Sequence, residues 1–111
     1  MNSNNPLQVF EQEAPEVSKA FNQLIESLKN TTGLDAKTKQ LVYIGMKSAL
    51  GDSKAIYYHV AAAKELGASR GEIVDTILIT LTVCGLNGVA TCLPAALSVY
   101  DQEQNDGLQQ H

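Results

Sequence analysis

A chain of 111 residues is one domain, on the small side but large enough to bury a hydrophobic core. Hydrophobic residues make up 44% of it and aromatic residues only 5%, which suits close-packed helices better than sheet. The formal net charge of −4 argues against a nucleic-acid-binding protein, because phosphate contacts need a concentrated basic surface.

Capping and turn residues divide the chain into helices that follow one another closely. About five helices are predicted, at 15–30, 36–50, 53–66, 71–84 and 89–102. Residues 1–14 are predicted to be a flexible N-terminal segment and 103–111 a flexible acidic tail, so that 15–102 form a single domain. No segment has the period of a strand, and the predicted fold class is all-α.

The first helix is predicted to begin at Pro15, a residue that fits the first turn of a helix. Its apolar residues recur at helical spacing: Val17, Ala20, Phe21, Leu24, Ile25 and Leu28. Asp35 is expected to cap the second helix and Gly51 to end it. Since the third helix follows Gly51 at once, the second and third helices should form an antiparallel pair.

The rest of the chain is organised around the third helix. Asp52 or Ser53 is expected to cap it, and Gly67 to end it. Its inward face is predicted from apolar spacing: Ala55, Ile56, His59, Val60, Ala62, Ala63 and Leu66. His59 is the one ionisable side chain on that face, and the other histidine, His111, falls in the tail. A chemical site, if the fold has one, is expected at His59.

Residues 77–100 contain no charged residue and are long enough to span a bilayer. A turn sequence at 85–88 and Pro94 in the second half favour two short buried helices instead, the second of them kinked or restarted at Pro94. Such apolar helices are hard to cover with one small chain. We therefore expect a homo-oligomer, in which these helices contribute to the subunit contacts, and no membrane insertion.

The two cysteines, Cys84 and Cys92, are expected to be free thiols. No charged stretch followed by an apolar run opens the chain, so nothing indicates export, and the predicted location is cytoplasmic. On one unbroken helix the two residues would be separated by a rise of about 12 Å, too far for a disulfide. Small buried hydrophobic residues are the favoured interpretation, and a relocated redox pair is the alternative.

Several short stretches resemble the carboxymuconolactone decarboxylase and alkylhydroperoxidase D family. They are Lys39-Gln40-Leu41, 51–59, 62–63, 67–73, the glycines at 85 and 88, and Pro94-Ala95-Ala96-Leu97. The resemblance covers about residues 15–100. It implies an all-helical domain of the alkylhydroperoxidase D type that assembles as a trimer, a hexamer or a similar ring.

The redox branch of that family has a Cys-x-x-Cys-x-x-x-His motif at the start of the central helix and a glutamate one helix earlier. The resemblance places the histidine on His59, the two cysteines on Asp52 and Ala55, and the glutamate on Gln40. Neither Asp52 nor Ala55 is a thiol, and Gln40 does not titrate. A thiol peroxidase needs an activated thiolate, so the mechanism of the redox branch is not expected here.

The decarboxylase branch also keeps a histidine on the central helix, and only His59 carries over from it. Decarboxylation of an acidic lactone needs cationic groups to hold the substrate. Lys54 and Arg70 are the candidates, although both fit solvated surface charges better.

Two interpretations of His59 stay open: a core histidine with a satisfied hydrogen bond, or the catalytic or binding residue of a pocket that also contains Gln40, Asp52, Ala55 and Tyr58. Gln40 is a possible hydrogen-bond partner of His59. Asp52 is favoured as a helix cap over a partner that orients the histidine. Tyr58 is interpreted as a packing or interface residue whose hydroxyl alternatively reaches the pocket.

Three functions therefore compete. The first is a non-redox enzyme or small-ligand binder that uses the pocket at His59. The second is the peroxiredoxin activity that the family resemblance would suggest, and the third is a degenerate member kept for its assembly or a protein partner. No cofactor and no metal are predicted, and a small molecule is the expected ligand. The sequence does not name the substrate or decide whether the protein is an enzyme.

Overall fold

The structure, a computed structural model, describes residues 5–109, with side chains through residue 102. In this part of the chain it contains seven α-helices and no strand, which confirms the all-α class. The helices are α1 (Pro6–Glu13), α2 (Pro15–Lys29), α3 (Ala36–Leu50), α4 (Ser53–Glu65), α5 (Arg70–Ile79), α6 (Leu81–Cys84) and α7 (Leu86–Gln109). They fall into two units, one ending at Leu34 and the other beginning at Asp35.

The first unit contains α1 and α2. The side chain of Asn5 caps α1 by accepting hydrogen bonds from the backbone of Leu7 and Gln8, and this helix was not predicted. Pro15 is in the first turn of α2, as predicted. The rings of Phe10 and Phe21 meet edge to face with their centroids 5.9 Å apart, which ties the two helices together.

The second unit begins with α3 and α4, joined by one tight turn. Gly51 has φ 72°, a left-handed conformation that glycine adopts without strain. The N–H of Gly51 then donates to Ser48 O and the N–H of Asp52 to Lys47 O, the bond pattern of a Schellman motif. Asp52 also caps α4, because its Oδ1 accepts from the N–H of Ala55 at 3.2 Å. One turn thus ends α3 and starts α4.

The core lies within the second unit. The buried apolar residues come from every long helix of this unit and from the turn before α5: Ile44, Ile56, Val60, Ala63, Ala68, Ile73, Ile77, Cys92 and Ala96. The inward face predicted for the central helix is confirmed at its centre, whereas Leu66 at its end is 46% exposed. A capping box formed by Ser69 and Glu72 is present at the start of α5.

The last part of the chain differs from the prediction at three places. The predicted fourth helix is interrupted at Thr80, whose hydroxyl donates to Ile77 O, so that α5 and α6 are separate helices. The predicted turn at 85–88 is shorter, because α7 begins at Leu86 directly after Gly85. The helix α7 does not restart at Pro94, which lies inside it. No helix among the described residues is long and apolar enough to span a membrane.

The backbone of α7 is helical to Gln109, so it continues through most of the segment predicted as a tail. The side chains of residues 103–111, and with them His111, lie outside the described part of the chain.

Helix α7 passes very close to α3 at one glycine. A Cβ atom at Gly88 would overlap the backbone carbonyl of Ser48, so only glycine fits at this crossing. Both residues are fully or nearly buried there. A Cβ at Gly45, in the middle of α3, would by contrast make only an ordinary contact with Thr76 at 3.5 Å.

We expect Gly88→Ala to destabilise the protein by about 1–3 kcal/mol, the usual cost of an overpacked core. Gly45→Ala is the matched control, because it places the same methyl group on a helix with room for it. It should be neutral or stabilise by up to about 1 kcal/mol through better helix propensity. Urea unfolding of both variants measures the two effects. Equal effects of the two substitutions would contradict the close approach of α7 to α3.

Candidate functional site

The site is built on the hydrogen bond between His59 of α4 and Gln40 of α3. The Nδ1 atom of His59 lies 2.8 Å from Oε1 of Gln40, across a sequence separation of 19 residues. With the amide oxygen of Gln40 facing the ring, Nδ1 is the donor, which corresponds to the neutral tautomer with its proton on Nδ1. The Nε2 atom then carries the free lone pair, and no partner for it is found among the described residues. The predicted pairing of Gln40 with His59 is present.

Two tyrosines hold the imidazole from different directions. The ring of Tyr43 stacks on that of His59 with 4.9 Å between centroids and 14° between planes. The ring of Tyr58 meets it edge to face at 5.1 Å and 75°. Tyr43 was not predicted as a site residue. Its position three residues after Gln40 puts both side chains on the same face of α3, and this spacing is the signal that was available in the sequence.

His59 is only half-buried, and its surroundings favour the neutral ring. Burial is the largest cause that lowers the pKa of His59 below its ordinary value of 6.5. The positive charge of Lys47 lowers the pKa further, while the negative charge of Asp52 opposes both. At neutral pH the imidazole is therefore uncharged, with Nε2 free to accept a hydrogen bond or a proton.

Asp52 is a helix cap, as predicted, and not the partner that orients the histidine. One oxygen accepts the N–H of Ala55, and the other lies 3.6 Å from Nζ of Lys47. The pair with Lys47 links the last turn of α3 to the start of α4 across the turn at Gly51. Asp52 acts on His59 through its charge alone, and Ala55 is a half-buried methyl group one turn before the histidine.

The two cysteines are free thiols, as expected, and lie on different helices. The prediction that both are small buried residues is correct for Cys92, which is fully buried in α7, and wrong for Cys84, which is exposed at the end of α6. Burial raises the pKa of the Cys92 thiol above its ordinary value. A buried thiol of raised pKa is a poor nucleophile, because only the thiolate reacts.

The two cations considered for an acidic substrate have other environments. Arg70 makes two hydrogen bonds, both of 3.0 Å, to the carboxylate of Asp101. This interaction connects the start of α5 to α7. Lys54 is exposed on the first turn of α4. The cation that the electrostatics place near His59 is Lys47, which sequence reasoning did not select.

The described residues contain no group of three or more histidine, cysteine, aspartate or glutamate side chains placed to hold a metal ion. The site thus consists of one neutral imidazole, an amide, two phenol rings and the ion pair of Lys47 with Asp52.

The sequence model of the carboxymuconolactone decarboxylase family matches residues 15–98, so the chain belongs to this family. An uncharacterized protein of Methanocaldococcus jannaschii is 27% identical over 93 residues, which are 84% of this chain and 87% of that protein. No solved structure matches the chain. The family match confirms the resemblance seen in the sequence. The similar protein is itself uncharacterized, so it does not indicate an activity.

The titration of His59 tests the geometry of the site. We expect its imidazole to titrate below about 6.5, and Gln40→Glu to raise its pKa, because a carboxylate that accepts from Nδ1–H favours the imidazolium. The NMR signal of the imidazole Cε1–H measures the midpoint, and His59→Gln identifies it against that of His111. Gln40→Ala is the control that removes the bond without adding a charge. Equal midpoints in wild type and Gln40→Glu would show that residue 40 does not reach the ring.

The lowered pKa of His59 also determines whether the stability of the protein rises or falls with pH. Because the pKa of His59 is lowered in the folded state, the unfolded chain binds this proton more tightly. The contribution of His59 to stability is therefore present above about pH 6.5 and is lost as the pH falls through the folded pKa. Gln40→Glu should reduce that loss, which urea unfolding at several pH values measures.

Proposed function

We propose that the protein is a non-redox member of its family that binds a small molecule at His59 and uses Nε2 of the neutral imidazole as proton acceptor. The observation that carries this proposal is the 2.8 Å hydrogen bond between Nδ1 of His59 and Gln40. With Gln40 as acceptor, Nδ1 is the protonated nitrogen, and this supports Nε2 as the atom that a ligand would meet.

The glutamine at position 40 supports a role of His59 as proton acceptor at Nε2 rather than as a member of a proton relay. A carboxylate in this place would accept a hydrogen bond from Nδ1–H and stabilise the imidazolium by its charge, whereas an amide oxygen accepts the same bond without a charge and without titrating. Proton transfer at His59 is then confined to Nε2. The stacked ring of Tyr43 restricts the rotation of the imidazole, so that Nε2 keeps a defined direction.

The surroundings of His59 also define the kind of ligand. The lowered pKa of the imidazole suits a ligand that donates a hydrogen bond or an acidic proton. Tyr58, which is 64% exposed beside the imidazole, supplies an apolar ring edge and a hydroxyl. Lys47 is held by Asp52, so a strongly anionic ligand would have to compete with that carboxylate. We infer a small, weakly acidic molecule, and a lactone is the form that the family name suggests.

Thiol chemistry is the less supported function. The helix start that would need cysteines has Asp52 and Ala55, and Asp52 is occupied as a cap. The thiol of Cys92 is buried, and Cys84 lies on another helix. If the ligand is a substrate, we propose decarboxylation as the reaction, with His59 as the proton-accepting group.

Ligand-induced stabilisation tests the proposal directly. We expect at least one compound in a panel of small lactones and hydroxy acids to raise the melting temperature of the wild-type protein, because binding to the folded state stabilises it. His59→Ala should lose this shift. Lys54→Ala, on the exposed surface of the same helix, is the matched control and should keep it.

Two results would contradict the proposal. One is a ligand that stabilises the wild-type protein and His59→Ala equally, since its site would then not include the imidazole. The other is dithiol-dependent turnover of cumene hydroperoxide that is abolished by Cys84→Ala combined with Cys92→Ala in a folded protein. The two cysteines would then be a relocated redox pair.

A further inference from the structure

Two contacts join α3 to α4 along the same pair of helix faces. The first is the hydrogen bond between Gln40 and His59, with 2.8 Å between Oε1 and Nδ1. The second is the ion pair of Lys47 with Asp52, with 3.6 Å between Nζ and Oδ2. On each helix the two contact residues are seven positions apart, which is about 10 Å along the axis. The imidazole and the ammonium therefore belong to one continuous surface.

Two residues of unequal size lie between these contacts. On α3 it is Tyr43, whose ring stacks on that of His59. On α4 it is Ala55, which is half-buried and contributes only a methyl group. The side chain of Ala55 is too short to extend over either the imidazole or the ion pair.

The side chains of Lys47 and His59 converge on this surface. A side chain on a helix leans toward the N-terminus of its helix. Since α3 and α4 are antiparallel, Lys47 leans toward the level of His59, and His59 leans toward the level of Lys47. The positive charge of Lys47 is one of the causes that lower the pKa of His59, which agrees with this convergence. The ammonium is thus close enough to act on the imidazole.

The contact with Asp52 does not use all the donors of Lys47. Its length of 3.6 Å exceeds that of a direct hydrogen bond, and an ammonium has three N–H donors. The side chain of Lys47 is also 33% exposed. A small molecule at His59 can therefore reach the ammonium from the solvent.

Asp52 determines which acceptor suits Lys47. Its carboxylate already balances the charge of the ammonium and would repel a second anion at this position. A neutral carbonyl oxygen accepts a charge-assisted hydrogen bond from Lys47 without displacing Asp52. The other oxygen of Asp52 stays on the N–H of Ala55 in either case, so the start of α4 keeps its cap.

We propose that Lys47 is a second ligand-binding residue of the site, and that its ammonium donates to a neutral carbonyl oxygen of the molecule bound at Nε2 of His59. The ligand class is a small neutral carbonyl compound that also has a hydrogen-bond donor. The inference rests on the proposed function and adds the carbonyl, which a contact with Nε2 alone does not require.

Two matched compounds test the role of Lys47. The first, α-hydroxy-γ-butyrolactone, has a hydroxyl for Nε2 and a carbonyl for Lys47. The second, 3-hydroxytetrahydrofuran, has the same five-membered ring and one hydroxyl but no carbonyl. Their dissociation constants are measured from the amide N–H signals in NMR titrations at pH 7.5, where the imidazole is neutral.

Three variants accompany the wild-type protein in these titrations. Lys47→Met removes the ammonium and keeps the aliphatic stem. Lys54→Met makes the same change at an exposed lysine of α4 and is the matched control. His59→Ala removes the imidazole. Circular dichroism of each variant verifies that helix content is kept.

We expect the wild-type protein and Lys54→Met to bind the lactone about five- to tenfold more tightly than the ether, the effect of one hydrogen bond to a charged group at a partly exposed site. Lys47→Met should bind the two compounds equally, with the affinity for the ether unchanged. His59→Ala should lose both compounds.

The outcomes separate this inference from the proposed function. Equal affinities for lactone and ether in the wild-type protein, both lost in His59→Ala, would overturn the role of Lys47 and leave the site at His59 intact. A preference for the lactone that persists in Lys47→Met would place the carbonyl elsewhere. Tighter Lys47-dependent binding of glycolate than of the lactone would overturn the neutral ligand class. Binding that His59→Ala does not change, or no binding of any compound, would contradict the proposed function and this inference with it.

Discussion

The arrangement of the site depends on the turn at Gly51 and Asp52. Because Gly51 adopts a left-handed conformation, α3 ends in a Schellman motif whose last donor is the N–H of Asp52. The side chain of Asp52 also caps α4, so only Gly51 and Asp52 connect the two helices. The two helices are therefore held in one register. That register places Gln40 of α3 opposite His59 of α4.

The turn also shows what stands at the first motif cysteine in this member of the family. Where the redox branch resembled by this chain has its first cysteine, Asp52 supplies a cap and a charge that pairs with Lys47. Burial of the ring and the positive charge of Lys47 both lower the pKa of His59, whereas the negative charge of Asp52 raises it. The net effect is a neutral imidazole that donates to Gln40. A neutral imidazole held in this way has the group that general acid–base chemistry at Nε2 requires.

Much of this was predictable from local sequence. Gly51, Asp52 and the Ser69–Glu72 box fix the helix boundaries through backbone hydrogen bonds, and local patterns report these well. The spacing of Gln40 and Tyr43 indicates that they share a face of α3, but the stacking of Tyr43 on His59 depends on how α3 and α4 pack, which spacing along one helix does not describe.

The sequence was less informative about α2 and the last helices. The apolar face of α2 has the spacing of a core face, but spacing alone does not say whether its partner is the same chain or another. The predicted fourth helix is interrupted at Thr80 among apolar residues whose spacing would continue it, and apolar spacing alone does not report this break.

The central claim is that His59 and Gln40 form a site and not a structural pair of the core. A double-mutant cycle of His59→Ala and Gln40→Ala, followed by thermal unfolding, tests it most directly. A half-buried, partly hydrated pair predicts a cost of about 1 kcal/mol or less for each single change, with weak coupling. A loss of about 3 kcal/mol for His59→Ala that is strongly coupled to Gln40→Ala would identify a buried structural pair and contradict the account.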